Sequence, residues 1–237
     1  VSECIIGSLS FNGQRCTALK ILFVHKSIVD VFIQKFNEEI KKLKCGMPWD
    51  AGVNLTPVPE PGKTNYLKGL VDDAKQHGAK IMNEGGGEIV ETFFYPAVLY
   101  PVNEKMKVYS EEQFGPVIPI VAYENVDEPM HYVINSNFGQ QVSIFGNESK
   151  TIAKLIDVFS NQVGRININT QSQRGPDSFP FNGRKDSAEG TLSVSDALRV
   201  FSIRTLVATK ASDENKQIIS TIIKNRESLF LSTEYIF

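Results

Sequence analysis

Cysteine is scarce in this chain and cannot be paired off: Cys4, Cys16 and Cys45 are an odd number with no C-x-x-C spacing, which argues against a disulfide framework or a zinc ribbon. A reducing, cytoplasmic setting is the expectation. The three histidines, His25, His77 and His131, show no metal-ligand spacing, so no metal is expected. No apolar run is long enough to cross a bilayer. Nor does one sign of charge prevail: 25 Lys and Arg face 27 Asp and Glu, a formal net charge of -2. That balance gives no global field to hold nucleic acid or an anionic membrane, and neither is expected as a partner. Repeats and low-complexity tracts are missing too. Two sequons, Asn54-Leu55-Thr56 and Asn147-Glu148-Ser149, have no charged-then-apolar leader before them and are read as chance matches.

What is present suffices for a full core, with 41% hydrophobic residues over 237 positions. Val1 is not an initiator methionine, and Val1 to Phe11 reads as a helix already under way, so a piece of something longer is expected. Leu19 to His25 reads as a strand. Ser27 then caps a helix whose stripe is Val29, Phe32, Ile33, Phe36, Ile40 and Leu43, at the 3.6-residue period. A Pro/Gly-rich connector leads to a second amphipathic helix carrying Tyr66, Leu67, Leu70, Val71 and Ala74, stopped by Gly78. Ala79 to Met82, Phe93 to Tyr100, Val117 to Tyr123, Gln141 to Phe145 and Val163 to Asn169 read as strands, with helices over 127–135 and 149–159 between the later ones. This alternation predicts an α/β fold, a mainly parallel sheet with helices on both faces. Thr170 to Leu192, dense in Gly, Pro, Asp, Ser and Asn, reads as a long ordered loop of the kind that carries function. A terminal strand is expected over 202–210, and Ser212 should cap a last helix bearing Ile218, Ile219, Ile222 and Ile223.

Two glycine signals lead nowhere. Gly62-Lys63-Thr64 lacks the leading glycine and the preceding strand of a phosphate-binding loop, and is read as a helix start. Gly85-Gly86-Gly87 lacks the G-x-G-x-x-G spacing and is a turn. The chemically suggestive stretch is Phe11-Asn12-Gly13-Gln14-Arg15-Cys16-Thr17-Ala18. A guanidinium beside a thiol favours the thiolate, and a tight glycine turn lets backbone N–H groups approach an oxyanion on the attacked atom. Taken alone, a cysteine such as Cys16 beside a β-rich run is more often a small buried core residue than a catalyst.

Four segments in order, Phe11 to Ala18, Phe94-Tyr95-Pro96-Ala97-Val98-Leu99, Glu111-Glu112-Gln113-Phe114-Gly115-Pro116-Val117 and Phe181-Asn182-Gly183-Arg184-Lys185-Asp186-Ser187, resemble the successive signatures of the aldehyde dehydrogenase superfamily. Arg15, Asn54-Leu55-Thr56-Pro57 and Gln173-Arg174-Gly175-Pro176-Asp177-Ser178-Phe179-Pro180-Phe181 look most like its non-phosphorylating, NADP-dependent glyceraldehyde-3-phosphate dehydrogenases. The resemblance implies a catalytic domain over 1–201, and a terminal oligomerisation strand plus an extra helix over 202–237. It implies Cys16 as the nucleophile, forming a thiohemiacetal and then a thioester. Arg15 and Arg174 would grip a phosphorylated aldehyde, Glu112 would bind the nicotinamide ribose of NADP or NAD, and Phe114 would pack beside that ring. Lys20 is expected only to present a charge at the surface. A homo-oligomer is expected.

The sequence departs from the family pattern in three places. The nucleotide-binding half, the glutamate base and the oxyanion asparagine would lie upstream of Val1, so the 237 residues are not expected to turn over alone. Asp186-Ser187-Ala188-Glu189-Gly190 replaces a small S-G-x-G turn, where Ala188 would be strained if the turn needs positive φ. The last residues, 215–237, run past the usual end. A semialdehyde or general aldehyde dehydrogenase is the enzymatic alternative, and a non-catalytic assembly or binding domain the alternative of another class.

Overall fold

Leucine, valine and isoleucine at alternating positions of short β-segments demand a cover on each side, and the computed structural model shows how it is provided. It describes residues 1–191, 193–201, 203 and 205–231, with the backbone alone for Val194 and Ser195. The chain divides into two units, 1–175 with 181–190, and 176–180 with 191–237.

In the first unit the order is α1 (Ser2–Leu9), β1 (Leu22–His25), α2 (Val29–Ile40), α3 (Lys63–Gln76), β2 (Lys80–Ile81), β3 (Ile89–Val90), β4 (Phe93–Phe94) and β5 (Ala97–Tyr100). Then come α4 (Lys107–Ser110), β6 (Val117–Tyr123), α5 (Asp127–Asn135), β7 (Phe138–Gly139), β8 (Gln141–Ile144), α6 (Ser149–Phe159), β9 (Arg165–Ile168) and β10 (Arg184–Lys185). The main sheet runs β1-β6-β5-β2. Its centre is parallel, with Leu22 opposite Ile120 and Val98 opposite Ile118, and its β2 edge is antiparallel to β5. A second parallel pair joins β8 to β9, with Val142 opposite Ile166.

Strand alternation explains the two cores. Val98, Ile118, Ile120, Leu22 and Val24 pack with Cys4, Ile5 and Leu9 of α1 and with Val29, Ile33, Phe36 and Ile40 of α2. Their neighbours Ala97, Leu99 and Val117 turn the other way, onto Leu67, Val71 and Ala74 of α3. Helices therefore cover both faces, as the sequence predicts. Phe36 is fully buried, so its truncation to alanine would cost about 3–5 kcal/mol. A third cluster, Ile144, Leu155, Phe159 and Val163, fastens α6 over β8 and β9.

The departures are local. Ser27 does not cap α2: its N-cap is Ile28, with no side-chain cap bond. The 170–192 loop contributes β10, antiparallel to β7. Ala188 escapes strain, because the positive φ values of that turn fall on Lys185 (56°) and Gly190 (74°).

In the second unit an unpredicted helix, α7 (Val194–Val200), follows Ser193. Residues 205–210 form no ladder; Ser202 and Arg204 of the expected strand lie outside the described residues. The last helix, α8 (Asp213–Lys224), is capped by Ser212, whose hydroxyl accepts the Asn215 N–H.

Candidate active site

Cys16 owes its position to a turn that only certain residues can make. After α1, Ser10–Gly13 forms a 3-10 turn with Phe11, Asn12 and Gly13 at φ 53°, 57° and 70°. Asparagine tolerates this left-handed region and glycine is indifferent to it. Asn12 is also held from outside: its side-chain amide donates to the Thr56 hydroxyl at 2.9 Å, and its carbonyl oxygen accepts the Thr56 N–H at 3.0 Å. The turn sets Cys16 exposed, while its neighbour Thr17 and the helical Cys4 are buried. Burial pushes the Cys4 thiol up to about 11, and raises Cys45 as well. Cys16 and Cys45 are the two exposed thiols, and of these Cys16 is the one that lines the cavity it shares with Glu112 and Phe114.

The two arginines occupy different environments. Arg15 points back into the protein, donating to the carbonyls of Ile6 (3.4 Å) and Gly7 (3.2 Å), to Gln171 Oε1 (3.1 Å) and to the Thr17 hydroxyl (3.3 Å). Burial pulls its guanidinium below the ordinary value, a pull that nearby Cys16 opposes. Its hydrogen bonds brace the Cys16 turn against the segment leading to Arg174. Arg174 is exposed, its guanidinium lying 5.3 Å from the Phe181 ring centre. The loop below it is fixed by residues the sequence reading passed over: Arg165 donates to the carbonyls of Gln173 (3.1 Å) and Gly175 (2.8 Å), and Gln141 exchanges two bonds with the Gln173 backbone.

Cys16, Glu112 and Phe114 open onto one cavity of about 760 Å³, which continues along the edges of β1 and β8. Arg15 and Arg174 are not among its lining residues. Glu112 is exposed, and its backbone carbonyl accepts the Tyr66 hydroxyl at 3.0 Å. Phe114 adopts φ 42°. Lys63, at the start of α3 as expected, places its ammonium 4.9 Å from the Tyr66 ring centre and 5.8 Å from that of Phe114. An exposed carboxylate beside an aromatic ring suits a ligand that offers hydroxyl donors and a flat ring.

Lys20 corrects an expectation. It does not project its charge from the surface but lines the cavity, donating to the Val108 carbonyl at 3.0 Å. Burial pulls its ammonium down to about 8, against the opposing attraction of Glu112 and Glu111. Lysine is so often fully exposed that residue type alone misleads for the half-buried Lys20. Lys63 and Tyr66 carried a weak signal, since they share one helical face at (i, i+3).

A model of the aldehyde dehydrogenase family matches residues 1–207. The NADP-dependent glyceraldehyde-3-phosphate dehydrogenase of Apium graveolens is 35% identical over 207 residues, which are 87% of this chain and 41% of the relative. Among solved structures, the NADP-dependent glyceraldehyde-3-phosphate dehydrogenase from Bacillus halodurans C-125, complexed with NADP, is similar with a TM-score of 0.77 at 33% identity, over 83% of this chain and 40% of its own. Succinate-semialdehyde dehydrogenase from Burkholderia pseudomallei is similar with a TM-score of 0.75 at 27% identity, over 80% and 39%. The chain spans about two fifths of the length of the curated relatives it matches.

Proposed function

The chain belongs to the aldehyde dehydrogenase family, and from that premise we propose that it forms the thiol-bearing part of an NADP-dependent enzyme oxidising glyceraldehyde 3-phosphate to 3-phosphoglycerate. The observation that carries this is the shared cavity of Cys16, Glu112 and Phe114. The Cys16 sulfur, as thiolate, attacks the aldehyde carbon, and the carbonyl oxygen becomes an oxyanion held by backbone N–H groups at the turn. Glu112 accepts from the nicotinamide ribose hydroxyls and Phe114 packs beside that ring, an assignment the exposed carboxylate and adjoining ring fit. Bound NADP supplies the hydride acceptor. Water then opens the Cys16 thioester, returning the thiolate and releasing the acid.

Arg174, the exposed guanidinium, meets the substrate phosphate. Arg15 joins the grip through its brace to Gln171 and by stabilising negative charge beside it. Because one exposed guanidinium satisfies a carboxylate as well as a phosphate, and a succinate-semialdehyde dehydrogenase is among the similar structures, semialdehyde oxidation is the second reading. The domain proposal stands beside these: 1–201 catalytic, and 202–237 a terminal strand and helix that a second copy covers. Val200, Phe201, Ile203 and Leu206, each over 80% exposed, support that contact. A cytoplasmic location belongs to the same proposal.

The test is NADPH formation by the full-length protein supplied with glyceraldehyde 3-phosphate. Turnover that falls at least about 1,000-fold in Cys16→Ser supports the proposal; parent-like turnover in that variant refutes it. Equal or better rates with succinate semialdehyde would favour the second reading.

A further inference from the structure

We infer that Lys20 is a positioning residue that holds Glu112 for the nucleotide, gripping the chain on both sides of that carboxylate. The inference rests on the reading of Glu112 as the ribose ligand.

Lys20 lies four residues after Cys16, and its two ends reach the same distant segment. Its ammonium donates to the Val108 carbonyl in α4, four residues before Glu112, at 3.0 Å. Its own backbone carbonyl accepts from Gln113 Nε2, the very next residue after Glu112, at 2.7 Å. That amide nitrogen also donates to the Val117 carbonyl at the start of β6, at 2.9 Å. The Gln113 side chain is buried, so its bond to Val117 is shielded from competing water, and the two Lys20 bonds are partly so. Glu112 sits between these anchor points, with its own carbonyl taken by Tyr66. The carboxylates of Glu111 and Glu112 both attract the Lys20 ammonium, and lysine and Glu112 line the same cavity.

Three features make this more than packing. Even a half-buried ammonium is costly unless it serves a partner, and a neutral side chain of the same length would fill the space. The ammonium biases the Glu112 carboxylate toward the cavity, which is where a ribose would meet it. The residue also joins the stretch after the thiol turn to the segment that carries Glu112.

The experiment is equilibrium binding of NADP to the full-length protein by calorimetry, for the parent, Lys20→Met, Lys20→Arg, Glu112→Gln and the double variant Lys20→Met/Glu112→Gln, with thermal melts to confirm folding. Lys20→Met should bind NADP about 10-fold more weakly, Lys20→Arg should recover to within about 3-fold of the parent, and the double variant should match Glu112→Gln within about 2-fold, because coupled residues are not additive. In turnover, the KM for NADP should rise while kcat changes little. Parent-like binding by Lys20→Met overturns the inference, as do losses that multiply in the double variant. Should Glu112→Gln bind NADP as the parent does, the nucleotide role of Glu112 fails and this inference with it. Weak binding by Glu112→Gln with parent-like binding by Lys20→Met overturns the positioning role alone.

Discussion

Gly13 and Gly115 touch through their backbones: a Cβ added to Gly13 would lie 2.8 Å from the Gly115 carbonyl oxygen, and 2.7 Å from that of Ser8. This contact presses the turn before Cys16 onto the segment that carries Glu112 and Phe114, and it requires glycine at position 13, whereas the missing Cβ of Gly115 makes room for the Leu67 side chain. Gly13→Ala must therefore move backbone as well as accept φ 70°. The left-handed strain alone costs about 1–3 kcal/mol. A lower urea midpoint and slower Cys16 alkylation are expected together; an unchanged midpoint would show that the two turns do not meet.

The sequence made the helices legible because their signals are local. The Ile152, Leu155, Ile156 and Phe159 stripe predicts α6 over Ser149 to Phe159, and the helix has those bounds. Ser212 announces the start of α8 and caps it. The order of the main sheet was not legible, since β1 lies beside β6 and nearly a hundred residues separate them in the chain. The unpredicted α7 follows a Gly/Ser-rich stretch whose turn signals mask a short helix. For the candidate site, the residues around Cys16 and the family resemblance singled out Cys16, Glu112 and Phe114, which share a cavity. Neither gave a hint that Arg15 would spend its donors on the Ile6 and Gly7 carbonyls, or that Lys20 would turn inward to the Val108 carbonyl, because both outcomes depend on contacts across the fold.

The three thiols should separate by alkylation rate. With its pKa near 11, Cys4 would be about one thousandth thiolate at pH 8 even if it were reachable. Iodoacetamide followed by peptide mass spectrometry should find Cys16 first, Cys45 next and Cys4 last. Labelling of Cys45 ahead of Cys16 would count against Cys16 as the nucleophile.

The two arginines should fail differently. Arg15→Ala removes four hydrogen bonds and leaves Gln171 Oε1 without this donor, while the Ile6 and Gly7 carbonyls keep Ser10 and Leu19 as donors, so a stability loss of about 1–3 kcal/mol is expected by denaturant unfolding. Arg174→Ala, at an exposed site, should change stability by less than about 1 kcal/mol. It should instead slow oxidation of a phosphorylated aldehyde about 10-fold or more relative to an uncharged one. Equal losses on both substrates would refute a phosphate contact at Arg174.

Lys20 should also be visible in the pH dependence of stability. Its ordinary value of 10.5 falls to about 8 in the folded chain, so between those values the unfolded state holds a proton that the folded state has released. Stability contributed by this group therefore rises with pH across that window. Cys4, raised from 9.0 to about 11, acts in the opposite sense, losing stability as pH climbs through its window. Cys4 is common to the parent and Lys20→Met, so its effect cancels in their difference. That difference should climb from about pH 8 to 10.5 in the parent's favour and be flat below pH 7. A flat difference throughout would place the ammonium in water.

The most direct measurement is rapid quenching of the full-length protein with NADP and glyceraldehyde 3-phosphate, followed by mass spectrometry of the cysteine peptides. An acyl group that adds the substrate's mass less two hydrogen atoms to Cys16, appearing before product and missing from Cys16→Ser, is the expected result. Product formation with no acyl group on Cys16, or with one on Cys45, would contradict the assignment of Cys16 as the nucleophile.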